Sequence, residues 1–491
     1  MNTVTKRLLA LALAALFAAT SLYAQETQDD FDMDSLFGDE LIEEIPGGNE
    51  GQALGKDPLA SLLTSEGTRI GGSFSGSLDS SFTWEDLWTG GTGFFDPEEK
   101  DLSLSLASTL YFDARPVEDF RAYGSMKTNW PFSTRTDVIS DVEYIADTDP
   151  FTAGNQSDVE TKTTRLTLPT LSIFELFSDF NLDDRIFFRF GKSTVKWGVG
   201  YFWSPADVIN LESINVLDAE AQREGPVSFR AHLPVLGTQN NFYFYTILDS
   251  SEIEYETTAL AAKAEFLLGG YELGLGAYYR YDTAERAMLT LTGPLGDFDI
   301  FGEAMLSRGS AKTFVTQVTP TFTTSETDDH RSDYYFSASA GFSYMNSDNN
   351  LNLIGQYYYN GEGYADSDRE TLISQAKAAI NSLGGADAPA AAPFNTILKA
   401  LIYGSGRHYG AINFSKGKIL TDDLSASVIV VANLSDFSGL IKPSLSYRLS
   451  DNLSLALSPT FIFGPEDGEY SYIAGGNIVS LSLGMRVNGS F

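Results

Sequence analysis

The chain offers little to nucleophilic or metal chemistry: 491 residues hold three histidines and no cysteine. His232 follows Ser228 on the polar face of an alternating segment, a pairing that could hint at a hydrolase. Such a pair needs a nucleophile elbow and a third group to orient the imidazole. Neither is evident, so His232 reads as a polar lining residue. His330 and His408 lie too far apart in sequence for a metal signature. Without cysteine there is no disulfide, thiolate site or cysteine-linked lipid. No glycine-rich phosphate loop occurs, so neither an enzyme nor a cofactor is expected.

The bases are the residues whose placement could do work. Lys and Arg number 32 against 66 Asp and Glu, a net charge of −34, which excludes nucleic acid as a natural partner. Yet Arg121, Lys127, Arg165, Arg185, Arg189, Arg230 and Arg280 fall on the polar side of alternating segments. On a lipid-facing surface each would cost ~2–4 kcal/mol near the midplane. They are therefore expected to line a water-filled lumen, where a wall of cations would favour anions.

The elements that must carry them follow from periodicity. Val479, Leu481, Leu483, Met485, Val487, Gly489 and Phe491 share one face of the last segment, and Ser480, Ser482, Gly484, Arg486, Asn488 and Ser490 share the other. The same alternation recurs over 120–127, 227–235 and 271–280, each near the ~9–11 residues of a tilted spanning strand. No segment after the N-terminus has the ~18 consecutive apolar residues of a membrane helix. The expected fold is thus all-β: a transmembrane antiparallel β-barrel of about eighteen strands, give or take two. Strands are placed at 68–84, 101–113, 119–130, 162–178, 185–196, 226–236, 241–249, 257–268, 271–281, 286–295, 298–308, 332–345, 351–360, 407–415, 423–433, 438–449, 453–463 and 477–491.

The long connections (85–100, 131–161, 197–225, 309–331, 361–406, 464–476) then all fall at one end of the barrel. The other end has short turns such as Gly269–Gly270, Gly296–Asp297 and Ser450–Asn452. This asymmetry is the habit of outer-membrane barrels, with the long side extracellular and both termini periplasmic. Within 361–406, Leu372, Ile373, Ala376, Ala379 and Ile380 have helical spacing. After Gly384–Gly385, Pro389 and Pro393 it returns at Ile397, Leu398, Leu401 and Ile402. The pair is either a lid or a surface hairpin that buries its own apolar face.

Ahead of the barrel, Lys6 and Arg7, the apolar run Leu8 to Ala19 and the small exit at Tyr23–Ala24 read as a signal peptide over 1–24. The run is too short for a spanning anchor. Residues 25–67 form an acidic periplasmic lead, largely disordered, with twelve acids and the single base Lys56.

A C-terminal strand ending on Phe491 resembles bacterial outer-membrane barrels generally, whose last residue is read by the barrel assembly machinery. The stretch FGKSTVKWGVGYFWSPADVIN, Phe190 to Asn210, resembles the Gly-Lys, Trp-Gly and Pro-x-Asp pattern of porin-like barrels, including alginate-export-type channels. Here Gly191–Lys192, Trp197–Gly198 and Pro205–Ala206–Asp207 carry it. By itself the stretch reads as a strand ending in the aromatic girdle at Trp197, two turn-forming glycines and a Pro-Ala-Asp turn. The resemblance implies that loop 197–225 folds inward as a constriction, presenting Trp197, Tyr201, Trp203, Asp207 and Glu212. Its acids and the basic wall would set a transverse field. Alternatively, Asp207 caps its turn and the arginines pair with Glu175, Glu265 and Glu272.

Together these features point to an outer-membrane pore, embedded in lipid, for small hydrophilic solutes and possessing a modest anion preference. The other reading is a surface adhesin or receptor on a barrel anchor. Oligomeric state is not written in the sequence.

Overall fold

The computed structural model describes residues 68–84, 97, 99–117, 119–133, 169–183, 185–211, 213–248, 254–319, 323–327, 333–386, 388–473 and 479–491. The signal segment, the acidic lead, Arg165, Glu212 and His330 lie outside them. The first eleven strands are β1 (Thr68–Trp84), β2 (Glu99–Val117), β3 (Phe120–Ser133), β4 (Thr170–Leu182), β5 (Ile186–Lys192), β6 (Val227–Pro234), β7 (Asn241–Leu248), β8 (Ala259–Leu268), β9 (Tyr271–Arg280), β10 (Glu285–Leu295) and β11 (Phe298–Arg308). A small hairpin follows, β12 (Thr313–Val318) and β13 (Thr323–Thr327). The wall resumes with β14 (Tyr334–Asn346), β15 (Leu351–Tyr359), β16 (His408–Lys416), β17 (Leu424–Asn433), β18 (Ser438–Ser450), β19 (Leu453–Phe463) and β20 (Val479–Ser490).

Eighteen of these strands form one antiparallel sheet, and it is closed: β1 pairs with both β2 and β20. At the seam Ser73 faces Ser490, and Gly72 and Phe491 exchange two backbone hydrogen bonds of 3.0 Å. Closure removes the edges that an open sheet would leave unpaired. Alternation sorts the side chains as expected. Phe74, Leu78, Leu104, Leu110, Phe244, Leu289 and Leu483 stand exposed on the outer face, the apolar band a barrel offers to a bilayer.

Long connections gather at one rim and short turns at the other. Among the short ones, Gly237, Gly269, Gly270 and Gly296 have φ between +62° and +90°, which an L-residue adopts at a cost. Among the strand boundaries that differ from the sequence expectation, two bear on the site. β4 runs on to Leu182, so its turn to β5 tightens and Arg185 falls in that turn. β5 ends at Lys192 rather than 196, because the chain leaves the wall there to carry the next loop.

At the long-loop rim, α1 (Asp366–Ser382) and α2 (Ala392–Ile402) form the helical pair, and α3 (Glu469–Ile473) follows β19. The pair buries Leu372, Ile373, Ala376, Leu398 and Leu401 together with Val315 and Val318 of β12. The β12–β13 hairpin is therefore the third side of a small rim core, and its short Thr-rich strands had read as loop. No described helix is long and apolar enough to cross a membrane.

Candidate functional site

The connection from β5 to β6 crosses the barrel. Trp197, 1% exposed, packs on Tyr245 of β7, Ala261 of β8 and Met288 of β10. Phe202, also 1% exposed, packs with Phe301 of β11, Ile354 of β15, Ala411 of β16, Val431 of β17 and Leu440 of β18. At ~4.8 Å per strand, the wall from β7 to β18 measures more than ~40 Å. The six residues from Trp197 to Phe202 reach at most ~20 Å. The loop can meet both stretches of wall only as a chord through the interior, so the side chains it touches face inward.

Two wall residues hold it there through its backbone. Glu303 of β11 accepts hydrogen bonds from Val199 N, Gly200 N, Ala206 N (2.9 Å) and Ser204 Oγ (2.9 and 3.1 Å). Gln356 of β15 accepts from the amides of Tyr201 (3.1 Å), Phe202 (2.6 Å) and Trp203 (3.4 Å), and its Nε2 donates to Trp203 O at 2.6 Å. Converging N–H groups around a carboxylate make a backbone nest, which suits an anionic oxygen. Such close approach explains the glycines: a Cβ on Gly198 would stand 1.9 Å from Ser204 Oγ, and one on Gly200 2.0 Å from Trp203 O.

Trp197 is thus no girdle residue. Its ring lies inside, with Nε1 2.8 Å from Met288 Sδ and Tyr245 edge-on at 5.3 Å. Pro205–Ala206–Asp207 does form a turn, closed by Asp207 N to Ser204 O at 3.1 Å. Asp207 is buried and paired with Arg223, and Asn210 Nδ2 sits 3.0 Å from both its oxygens. Its charge is met within the loop instead of facing the wall. Tyr201 donates to Glu220 at 3.0 Å, and burial, aided by that carboxylate, holds its phenol well above the ordinary range. Trp203 stacks on Tyr358 at 5.9 Å, beside a cavity of about 290 Å³ bordered by Pro205, Asn210 and Arg223.

Strand register assembles a row of inward residues that runs through the loop's own contacts, Tyr245 and Ala261. Arg121 stands opposite Asp179, Asp179 opposite Arg189, Arg189 opposite Arg230, and Arg230 opposite Tyr245; Ala261, Tyr278 and Arg286 continue it. Arg121 Nε donates to Asp113 at 2.8 Å, and Arg189 Nε to Asp179 at 2.7 Å. Both guanidinium groups lie over the Phe177 ring, at 5.8 and 4.0 Å. Asp113 and Asp179 are therefore the partners of Arg121 and Arg189. Glu265 instead pairs with Lys263 at 2.7 Å. Lys127 reaches the loop at Gln222 (3.0 Å), and Arg280 lies at the end of β9 on the face of Tyr278.

The structure brings Arg121, Arg189 and Arg230 together and leaves Arg185 exposed in the turn, off the strand face. His232 stacks on Tyr243 at 4.5 Å with Nε2 2.9 Å from Asn241 Oδ1, and His408 Nδ1 meets Tyr357 OH at 2.6 Å. Sequence reasoning missed Glu303, Gln356, Asp113, Asp179 and Arg286. One signal was available: Glu303 shares an inward face with Phe301 and Met305, an odd neighbourhood for an acid without partners.

No family model matches the chain, and no curated protein matches it in sequence. Solved structures that align include Acinetobacter baumannii OccAB1 (10% identity, 86% of this chain and 97% of that one, TM-score 0.45). Pseudomonas aeruginosa OccK7 (OpdD) aligns at 9% identity over 87% and 100% of the chains, TM-score 0.45. OccK1 (OpdK) of the same organism aligns at 8% over 86% and 99%, TM-score 0.44. At such values the architecture rests on this chain's own strand pairings: a closed, eighteen-stranded, porin-like antiparallel barrel crossed by the β5–β6 loop.

Proposed function

We propose that the chain is an exported outer-membrane channel through which small hydrophilic solutes diffuse passively, with a modest preference for anionic ones. In this reading residues 1–24 direct export, 25–67 remain as an acidic periplasmic lead, and Phe491 serves the barrel assembly machinery. The observation that carries it is the chord. An eighteen-strand barrel is wide enough for an aqueous lumen, and a loop pinned across it by Glu303 and Gln356 narrows the lumen at a fixed place.

The preference rests on the row of inward bases from Arg121 to Arg286. Along it Arg121, Arg189, Arg230 and Arg286 outnumber Asp179 and the adjoining Asp113, so the formal charge of the row is positive. A narrow passage between low-dielectric walls focuses that field, which outweighs the acids of the lead and of residues 131–160. Purified protein in a planar bilayer under a salt gradient is the test. It should conduct with a reversal potential on the anion side. Replacing Arg189 and Arg230 together by Gln should shift the anion-to-cation permeability ratio towards cations by a few-fold, most clearly at low salt. A folded, heat-modifiable barrel that carries no current would overturn the channel reading; unchanged selectivity in the double variant would overturn the charge assignment.

A further inference from the structure

The interior has two unlike walls. Under the chord, Ile354, Ala411 and Val431 are 1–4% exposed, closed off by Phe202 and its neighbours. Across the seam, the inward positions midway along β18, β19, β20, β1 and β2 are mostly half-exposed and short, the long exceptions on that face being Lys442 and Arg448 of β18 and Arg486 of β20. Their register forms rows. Ser444 is opposite Ser458, Ser458 opposite Ser482, and Ser482 opposite Ser81. One step below, Ser446, Ala456, Gly484, Asp79 and Ser103 follow in the same order, and below them Arg448, Ser454, Arg486, Ser77 and Ser105, so the short side chains concentrate in the upper two rows. The inward sense is fixed from both sides, by alternation from Leu440 under the chord and from Asp113 beside Arg121.

These rows place hydroxyls in the middle of the wall. Ser444 and Ser458 bond each other at 2.8 Å, which leaves each oxygen further capacity to accept or donate. Gly484 adds width: a Cβ there would come 2.5 Å from Asp79 Oδ1, so its absence lets that carboxylate lie back against the wall. Short side chains opposite a pinned loop leave room on this side of the axis, and hydroxyls can exchange hydrogen bonds with whatever passes.

We propose that solutes cross the barrel against this serine wall, off the barrel axis, and that Ser81, Ser444, Ser458 and Ser482 set the width of the passage for small hydrogen-bonding solutes, neutral polyols included. The proposal rests on the channel reading and adds the path to it.

The chain has no cysteine, so single thiols can be introduced cleanly. Ser482→Cys and Ser81→Cys variants, incorporated in bilayers and in proteoliposomes, are treated with a sugar-sized, membrane-impermeant methanethiosulfonate. Both should be modified, with single-channel conductance falling at least twofold and erythritol entry, read by swelling, slowing in step. The Leu483→Cys variant is the control. One residue along, its side chain is on the outer face, and treatment should leave both readouts at the wild-type level.

Either serine-site variant failing to react, or reacting without change in conductance and polyol entry, overturns the path. So does a block at Leu483→Cys. Heat-modified mobility verifies folding, and since Ser81 faces Ser482 in one row, either position can stand in for the other. A wild-type barrel that carries no current would defeat the channel reading itself, an outcome distinct from a conducting barrel indifferent to modification at this wall.

Discussion

Two long connections at the same rim are held by opposite means. The β5–β6 loop has no core of its own; its aromatic side chains use the barrel wall, and its amides are satisfied by Glu303 and Gln356 from strands about a hundred residues or more away in sequence. The α1–α2 pair brings its own core, in which Ala376, Leu401 and Ile402 are 0% exposed. It is tied down chiefly by charge. Arg369, 4% exposed, donates to Leu401 O and Ile402 O at the end of α2, to Ser405 Oγ, and to Asp436 Oδ2 in the β17–β18 turn at 3.0 Å. A segment that borrows the wall's polar groups is part of the wall. One with a core and a clamp is a separable unit, so damage to their anchors should have different consequences.

The largest effect is expected at Glu303. Replacing it with Ala removes the acceptor for three backbone amides and a hydroxyl, and each buried donor left without a partner costs ~1–3 kcal/mol. The loop has no inner core to compensate and should leave the lumen. Glu303→Ala should raise single-channel conductance several-fold and erase the few-fold selectivity change produced by the Arg189 and Arg230 substitutions. Gln356→Ala should do the same more weakly. If conductance in Glu303→Ala stays at the wild-type level with the barrel folded, the chord is held by its aromatics alone.

What the sequence disclosed follows this same division. The wall was legible because lipid on one side and water on the other impose a period of two, as from Val479 to Phe491, and the turns announce themselves by Gly, Asn and Asp. Arg121, Arg189 and Arg230 could be assigned inward by that period. Their partners could not, since Asp179 meets Arg121 and Arg189 through cross-strand register, which no single segment encodes. Arg185 was misplaced by a strand start one residue off. Trp197 was read as a girdle residue because an aromatic at a strand end usually is one; only the crossing of the loop turns it inward. Glu303 and Gln356 hold the loop mainly through its backbone, and backbone groups leave no mark in sequence.

Breaking the clamp should act on the rim and spare the passage. Arg369→Ala leaves Asp436 buried without its cation and the α2 carbonyls without their donor, a loss of ~3–5 kcal/mol for a buried pair broken on one side. The expected outcome is rapid protease cleavage within 361–406 in folded barrels, with single-channel conductance changed less than by Glu303→Ala. Replacing Asp436 by Asn should give a similar but smaller increase in cleavage, because an amide still accepts from Arg369. If instead Arg369→Ala abolished conductance while the barrel kept its heat-modified mobility, the pair would belong to the passage and the contrast between the two loops would fail.

The smallest effect concerns pH, at the second tie of the same rim. Glu469 of α3 accepts from Gly404 N (3.0 Å), Tyr409 OH (3.0 Å) and Asn433 Nδ2 (2.8 Å). Burial raises its pKa above the ordinary 4.5, the hydrogen bonds from Gly404, Asn433 and Tyr409 lower it in part, and nearby Asp436 raises it further. Arg369 and Lys312 are the cations close by, Lys312 being itself held below its ordinary range by burial and then partly restored by Glu362 and Glu469. With the folded value raised, the folded rim keeps a proton that the unfolded rim releases, so stability falls as pH rises from about 4.5 through the folded value. Cleavage within 361–406 should therefore quicken across that window in the wild type. The Glu469→Gln variant, which keeps an acceptor and cannot titrate, should show a flatter profile over the same range. An unaltered slope in that variant would assign the pH response to groups beyond this tie.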